Sequence, residues 1–491
     1  MRIKSRHNSR LAFSILLLLL VSSCTPNPPL PALQPTATPA NTHALTTSST
    51  ISPSPTPSPT PEKPPIRTQY TLSAVFDYEH MRLDVSEDVT YLNRSEVYLN
   101  ELLIVVEPLR WEGAFRLTDI RWEDGVPVSG LRLEGAWLYL PLREALAPGK
   151  SVTLSIRFEL VLPTPAGAFG NTGRQINLTD WYPFLPSYDP QLGWRVHPPA
   201  YIGEHQAYDS ADFHVEWTTT NAPVPLVVAA SALPEEHDGT LHFDLKAARC
   251  FTLSLSEEYE VISGQVGNWT VRAFVFPEHI EAGHTTITVA SEALTLYDEI
   301  FMPYPYDSLT IVEGDFFDGL ETSGLFFLDQ TYFDSYVEYP TGWLTTLVAH
   351  ETSHQWWHTQ VGNDPAVEPW LDEALATYSE HIFYEHLHPE WVDWWWYRRV
   401  DIFHPQGMID GSVYDYQDFR DYVDSVYLRG VRFLEALRTR IGDEAFFTFL
   451  KDYARRGNDS LFTAKDFFQI LSEHSGEDIS GITSEYFNAA P

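Results

Sequence analysis

The chain has 491 residues, a length that suits two or three domains. Its 67 Asp+Glu stand against 31 Lys+Arg, a formal charge of −36, and a surface that acidic repels polyanions, so nucleic acid is not expected as a partner. With 44% hydrophobic and 14% aromatic residues the chain can build large cores, and two cysteines exclude a disulfide-stapled scaffold.

Residues 1–24 read as an export signal: the basic Arg2, Lys4, Arg6 and Arg10, an apolar run from Leu11 to Val21, then small residues. The run is too short to span a bilayer and has the length of a signal-peptide core. Val21-Ser22-Ser23-Cys24 resembles the bacterial lipoprotein box. That resemblance implies acylation of Cys24 and a lipid anchor in a membrane of the bacterial cell envelope, facing outside the cytoplasm. Residues 25–67 are dominated by Pro, Ser and Thr, and are expected to be a disordered tether with too few apolar groups to offset the entropy of ordering. Cys250 then lacks an intrachain partner and is expected to be a buried small hydrophobe.

From residue 68 the pattern has period two. Tyr70, Leu72, Ala74, Phe76 and Tyr78 alternate with small or polar residues, as do Met81, Leu83 and Val85, and Val152, Leu154, Ile156, Phe158 and Leu160. This predicts an N-terminal antiparallel β domain with one wet face over 68–282. Beyond it Ile287, Ala290, Leu294, Tyr297 and Phe301 share one helical face, in a helix stopped by Pro303. Further helices are predicted at 341–358, 369–387, 425–441, 443–456 and 464–475. Residues 283–491 therefore form an α+β, mainly helical domain.

His350-Glu351-Thr352-Ser353-His354 is an H-E-x-x-H motif. On a helix, residues i and i+4 lie one above the other, so both imidazoles can converge on one zinc ion, with Glu351 turned about 100° away to act on a water. Downstream, Glu373 stands in Trp370–Tyr378, and Pro365 and Pro369 break the chain so that this second helix can run back against the first. Two His and one Glu leave a fourth position open, as in a catalytic rather than a structural zinc site. His358 continues the i, i+4, i+8 series, but on a straight helix the outer imidazoles would be about 12 Å apart, so it is expected to be a surface or packing residue.

The run His350–Trp357 followed by Trp370–Tyr378 resembles the M1 family of zinc metallopeptidases, the gluzincin aminopeptidases. The resemblance implies a thermolysin-like catalytic domain, one Zn2+ bound by His350, His354 and Glu373, Glu351 as general base, and peptides with a free N-terminus as partners. Asp318–Gly324 is similar to the family's G-x-M-E-N segment, which implies that Glu321 grips the substrate's α-amine; Asp, Leu and Thr replace the segment's first Gly, its Met and its Asn. Val426–Gly430 is similar to the Tyr-x-Lys-Gly segment, which implies that the Tyr427 hydroxyl stabilises the tetrahedral intermediate. Trp181-Tyr182-Pro183 resembles part of the family's N-terminal domain. The chain ends at Pro491, so the large C-terminal helical domain of many members is expected to be missing and the site more open. Two other readings are an endopeptidase using the same zinc and a non-catalytic, peptide-binding envelope lipoprotein.

Overall fold

The computed structural model describes residues 67–164, 167–316 and 319–489. The export signal, Cys24, the tether up to residue 66, and Asp318 lie outside them. Among the described residues, no helix is long and apolar enough to cross a membrane.

The period-two runs form a seven-stranded sheet in the order Glu235–His237, Thr240–Ala248, Ala211–Thr220, Thr68–Asp77, Arg82–Leu92, Ser151–Val161, Phe115–Trp122. Its pairs are antiparallel except Thr68–Asp77 with Ala211–Thr220, which run parallel. Leu72, Ala74 and Phe76 point into the core with Leu154, Ile156 and Phe158. Alternation along a strand puts their neighbours on the other face, which explains why the pattern was readable.

A five-stranded sheet follows, in the order Glu260–Val266, Trp269–Val275, Ser308–Gly314, Leu325–Asp329, Leu320–Thr322. Ser308–Gly314 pairs in parallel with both of its neighbours and is buried along its whole length. A strand covered on both faces loses the alternation, and here Ser308, Thr310 and Glu313 are buried along with Leu309, Ile311 and Val312. This sheet contains strands on both sides of residue 282, so sheet membership changes earlier, between Ser256 and Glu260.

The helix Ile280–Ile300 carries the chain between two of these strands and packs on the motif helix, Trp343–Ser353. Tyr297 donates its hydroxyl hydrogen to the carbonyls of Ala349 and Ser379, tying three helices together. Trp356 Nε1 donates to Met302 O at 2.7 Å, and Trp357 Nε1 to Ser379 Oγ at 3.0 Å. The two tryptophans after the motif thus fix the end of its helix against both neighbours. Cys250 is buried and free, and burial pushes its thiol up to about 12.

Candidate metal centre

Two helices build the centre. The motif helix presents His350 and, at its C-terminal end, His354; the helix Trp370–Leu387 begins after Pro369 and offers Glu373 from its first turn. All three are buried. His350 Nε2 and His354 Nε2 stand 3.1 Å apart, and Glu373 Oε2 lies 3.3 Å from the first and 3.6 Å from the second. Ligand bonds of about 2.0–2.1 Å in a tetrahedron need donors roughly 3.3 Å apart, so this triangle fits zinc. Glu373 Oε2 is moreover buried without a hydrogen-bond partner, as expected of an atom aimed at a cation.

The other ring nitrogens are occupied. His350 Nδ1 donates to Glu380 Oε1 at 2.8 Å, and His354 Nδ1 to the Trp357 carbonyl at 2.9 Å. Both Nε2 atoms are thereby turned toward Glu373. Glu380 is itself held by Arg399 Nε and Nη2, each at 2.9 Å to a carboxylate oxygen, and by Trp395 Nε1 at 3.0 Å. The sequence reading missed Glu380, although it lies seven residues after Glu373 on the same helical face.

Burial works against a charged imidazole, but the Glu373 and Glu380 carboxylates facing it outweigh burial and lift His350 to about 9. His354 is raised in the same way, mainly by Glu321 and Glu373. The field that holds these protons is the one a divalent cation would meet.

Glu351 is buried beside the pair, and burial pushes its carboxyl up to about 8 although both imidazoles pull it down. Its Oε2 has no hydrogen-bond partner, and a Cβ at Gly319 would come within 2.5 Å of its Oε1. Only glycine at 319 lets the chain just ahead of the strand Leu320–Thr322 approach the carboxylate so closely. Tyr427 donates its hydroxyl hydrogen to Glu373 Oε1, and its ring stacks on His350 with centroids 5.9 Å apart. It sits in the wide π-type turns of Val423–Arg429, inside the helical run 419–441. Such turns occur frequently at functional sites.

Glu321 lies on Leu320–Thr322, with Oε1 3.8 Å from His354 Nδ1. Gln355, the residue after the motif, fixes that distance: its Nε2 donates to Thr322 O and its Oε1 accepts from Gly324 N, both at 2.9 Å.

His358 is a packing residue, not a surface one. The motif helix stops at Ser353, the chain turns, and His358 has φ +133° and is buried rather than exposed. Its Nδ1 faces Glu321 Oε1 at 3.8 Å and Glu204 Oε2 at 3.7 Å, and burial pushes the imidazole down to about 3. Glu204 is a second residue missed from sequence; its carboxyl is raised by burial and by Glu321. It comes from the Pro-rich loop after Trp194, where no periodicity marks a position.

Arg249, from the β half, closes the back of this region. It donates to the carbonyls of His358, Thr359, Gln360, Ser460 and Tyr208.

Two imidazoles and one carboxylate around an open position, with a further carboxylate beside them, are the donor set of a hydrolytic zinc centre. Comparison with known proteins agrees. Residues 285–486 match the family model of the peptidase family M1 domain. Aminopeptidase M1-D of Oryza sativa subsp. japonica is 26% identical over 231 residues, 44% of this chain and 26% of that protein. Aminopeptidase 2 of Candida albicans is 22% identical over 448 residues, 84% of this chain and 46% of its own length. The chain thus spans between about a quarter and a half of the length of these curated relatives. A mutant M1 zinc metallopeptidase from Deinococcus radiodurans, bound to a Tyr-Ser-Ala substrate, superposes with a TM-score of 0.60 at 21% identity, covering 86% of this chain and 94% of that one. The chain shares the two-part fold of that metallopeptidase, an N-terminal β domain followed by a mixed, mainly helical domain.

Proposed function

We propose that the protein is a zinc aminopeptidase that hydrolyses the N-terminal bond of peptides with a free α-amine. One observation carries the reading: His350, His354 and Glu373 meet at metal-ligand spacing, with an unpartnered Glu351 oxygen beside them and the Glu321 carboxylate 3.8 Å from His354. The aminopeptidase names of the relatives support it.

A zinc ion held there supplies a Lewis acid for the scissile carbonyl and lowers the pKa of water toward 7. Glu351 takes the proton from the attacking water and delivers it to the leaving amine. Gly319, with no side chain, leaves that carboxylate its place. The Tyr427 hydroxyl, poised on Glu373, donates to the charge that develops on the carbonyl oxygen. Glu321 and Glu204 pair with the substrate's ammonium group, a pairing strengthened by burial, and so select which bond reaches Glu351. Acylation of Cys24 would tether this chemistry to a membrane of the cell envelope, outside the cytoplasm.

The test compares one peptide with a free N-terminus against its N-acetylated twin on zinc-loaded protein. Release of single residues from the free form only is expected. Internal cleavage of both would make the protein an endopeptidase, and no turnover above a Glu351→Gln control would leave a binding protein. The anchor is tested separately, by fatty-acid labelling in a bacterial host: label is expected on the wild type and absent from Cys24→Ala.

A further inference from the structure

One corner of the seven-stranded sheet is made by Ala211–Thr220, Thr240–Ala248 and Glu235–His237. Phe213, Val215 and Trp217 of the first strand are buried, as are Phe243 and Leu245 of the second. His214, Glu216, His242 and Asp244 therefore stand together on the outer face. The register sets His214 opposite Asp244 and Glu216 opposite His242. His237, opposite Thr240 on the edge strand, shares this face, with its ring centroid 5.5 Å from that of His242.

We propose that His214, Glu216 and His242 form a second metal site, which binds one divalent transition-metal ion such as Zn2+ on the outer face of the β half. One donor atom from each lies within 4.8 Å of the other two. His242 Nδ1 is 3.6 Å and His214 Nε2 is 3.9 Å from the same oxygen, Glu216 Oε1. Asp244 Oδ1 accepts from His214 Nδ1 at 3.1 Å, which leaves Nε2 with its lone pair on the Glu216 side. A carboxylate behind an imidazole is the usual means of orienting a metal-binding histidine. Imidazole with carboxylate suits Zn2+, Ni2+ or Cu2+, whereas Mg2+ and Ca2+ prefer oxygen alone.

Neighbours at i, i+2 and directly across a strand pair are close enough to share an ion without moving the backbone. The fourth position falls to water or to His237. An ion there links the strand Ala211–Thr220 to the edge hairpin and stabilises the folded β half by mass action. The site differs from the centre at His350 in exposure: its side chains are 40%, 39% and 26% accessible, so it binds more weakly and exchanges faster.

The test uses the full chain, stripped with a chelator and titrated with Zn2+, with bound metal counted after gel filtration and followed by calorimetry. Wild type is expected to take up two ions, the second more weakly. His214→Ala/His242→Ala should take up one, with an unchanged melting temperature in chelator. Asp244→Asn should weaken only the second ion, by about 10-fold or more. Glu216→Gln serves if the double variant does not fold, and should also lose the second ion. A wild type that binds a single ion, or variants that still bind two, would overturn the proposal.

Discussion

Glu87 in the β half and Glu380 in the helical half are both fully buried, and their surroundings are opposite in kind. Neither oxygen of Glu87 has a hydrogen-bond partner, and burial holds its carboxyl well above the usual carboxylate range. Glu380 receives hydrogen bonds from His350, Arg399 and Trp395, and Arg399 and His350 hold its carboxyl below that range despite burial. One glutamate is kept neutral and the other charged. What makes a buried carboxylate useful is the set of groups that meet it: Glu380 can orient His350 because Arg399 keeps it ionised. Glu87 orients nothing and costs stability wherever it must ionise.

Four substitutions test what groups placed in this way contribute. The largest effect is expected for Arg249→Met, which takes a donor from five carbonyls, three of them in buried contacts; unfolding by denaturant should show a loss of more than about 3 kcal/mol. Tyr427→Phe removes a single donor to the developing oxyanion, and kcat should fall by about 10²–10³-fold with metal content unchanged. For Glu380→Gln, the Nδ1 partner of His350 loses its charge, and zinc affinity measured by chelator competition should weaken by about 10–100-fold.

The smallest effect carries a sign that depends on pH. Because Glu87 has a raised folded pKa, its protonated form is favoured by folding. The contribution is fully present below the unfolded value of about 4.3 and is lost as pH rises through the folded value. Glu87→Gln should therefore gain on wild type between pH 4 and pH 8 in denaturant midpoint. A constant difference across that range would mean that Glu87 is charged in the fold.

How far this was legible in the sequence depends on the range of the interactions. The i, i+4 pair His350 and His354 and the strand alternation around Tyr70 are local periodicities, and both structures follow them. Glu373 could be named from the proline break that turns its helix back, and Tyr427 only through resemblance; the fold brings both to the histidines. Glu380 was overlooked because a buried helix such as Trp370–Leu387 has no polar face to make one carboxylate conspicuous. Glu204 and Arg249 owe their positions to contacts distant in sequence, across the two halves, and no local spacing encodes those. Of the two places open to His358, surface or packing, the fold takes packing, because the helix ends at Ser353, where Trp356 and Trp357 turn toward their own partners.

The central claim is that His350, His354 and Glu373 hold a metal for which Glu351 is the base. The most direct measurement sets zinc content and peptide turnover side by side in wild type and Glu351→Gln. Equal zinc with turnover lowered by at least about 10²–10⁴-fold is the expected result. Turnover that survives in Glu351→Gln with zinc bound would contradict it.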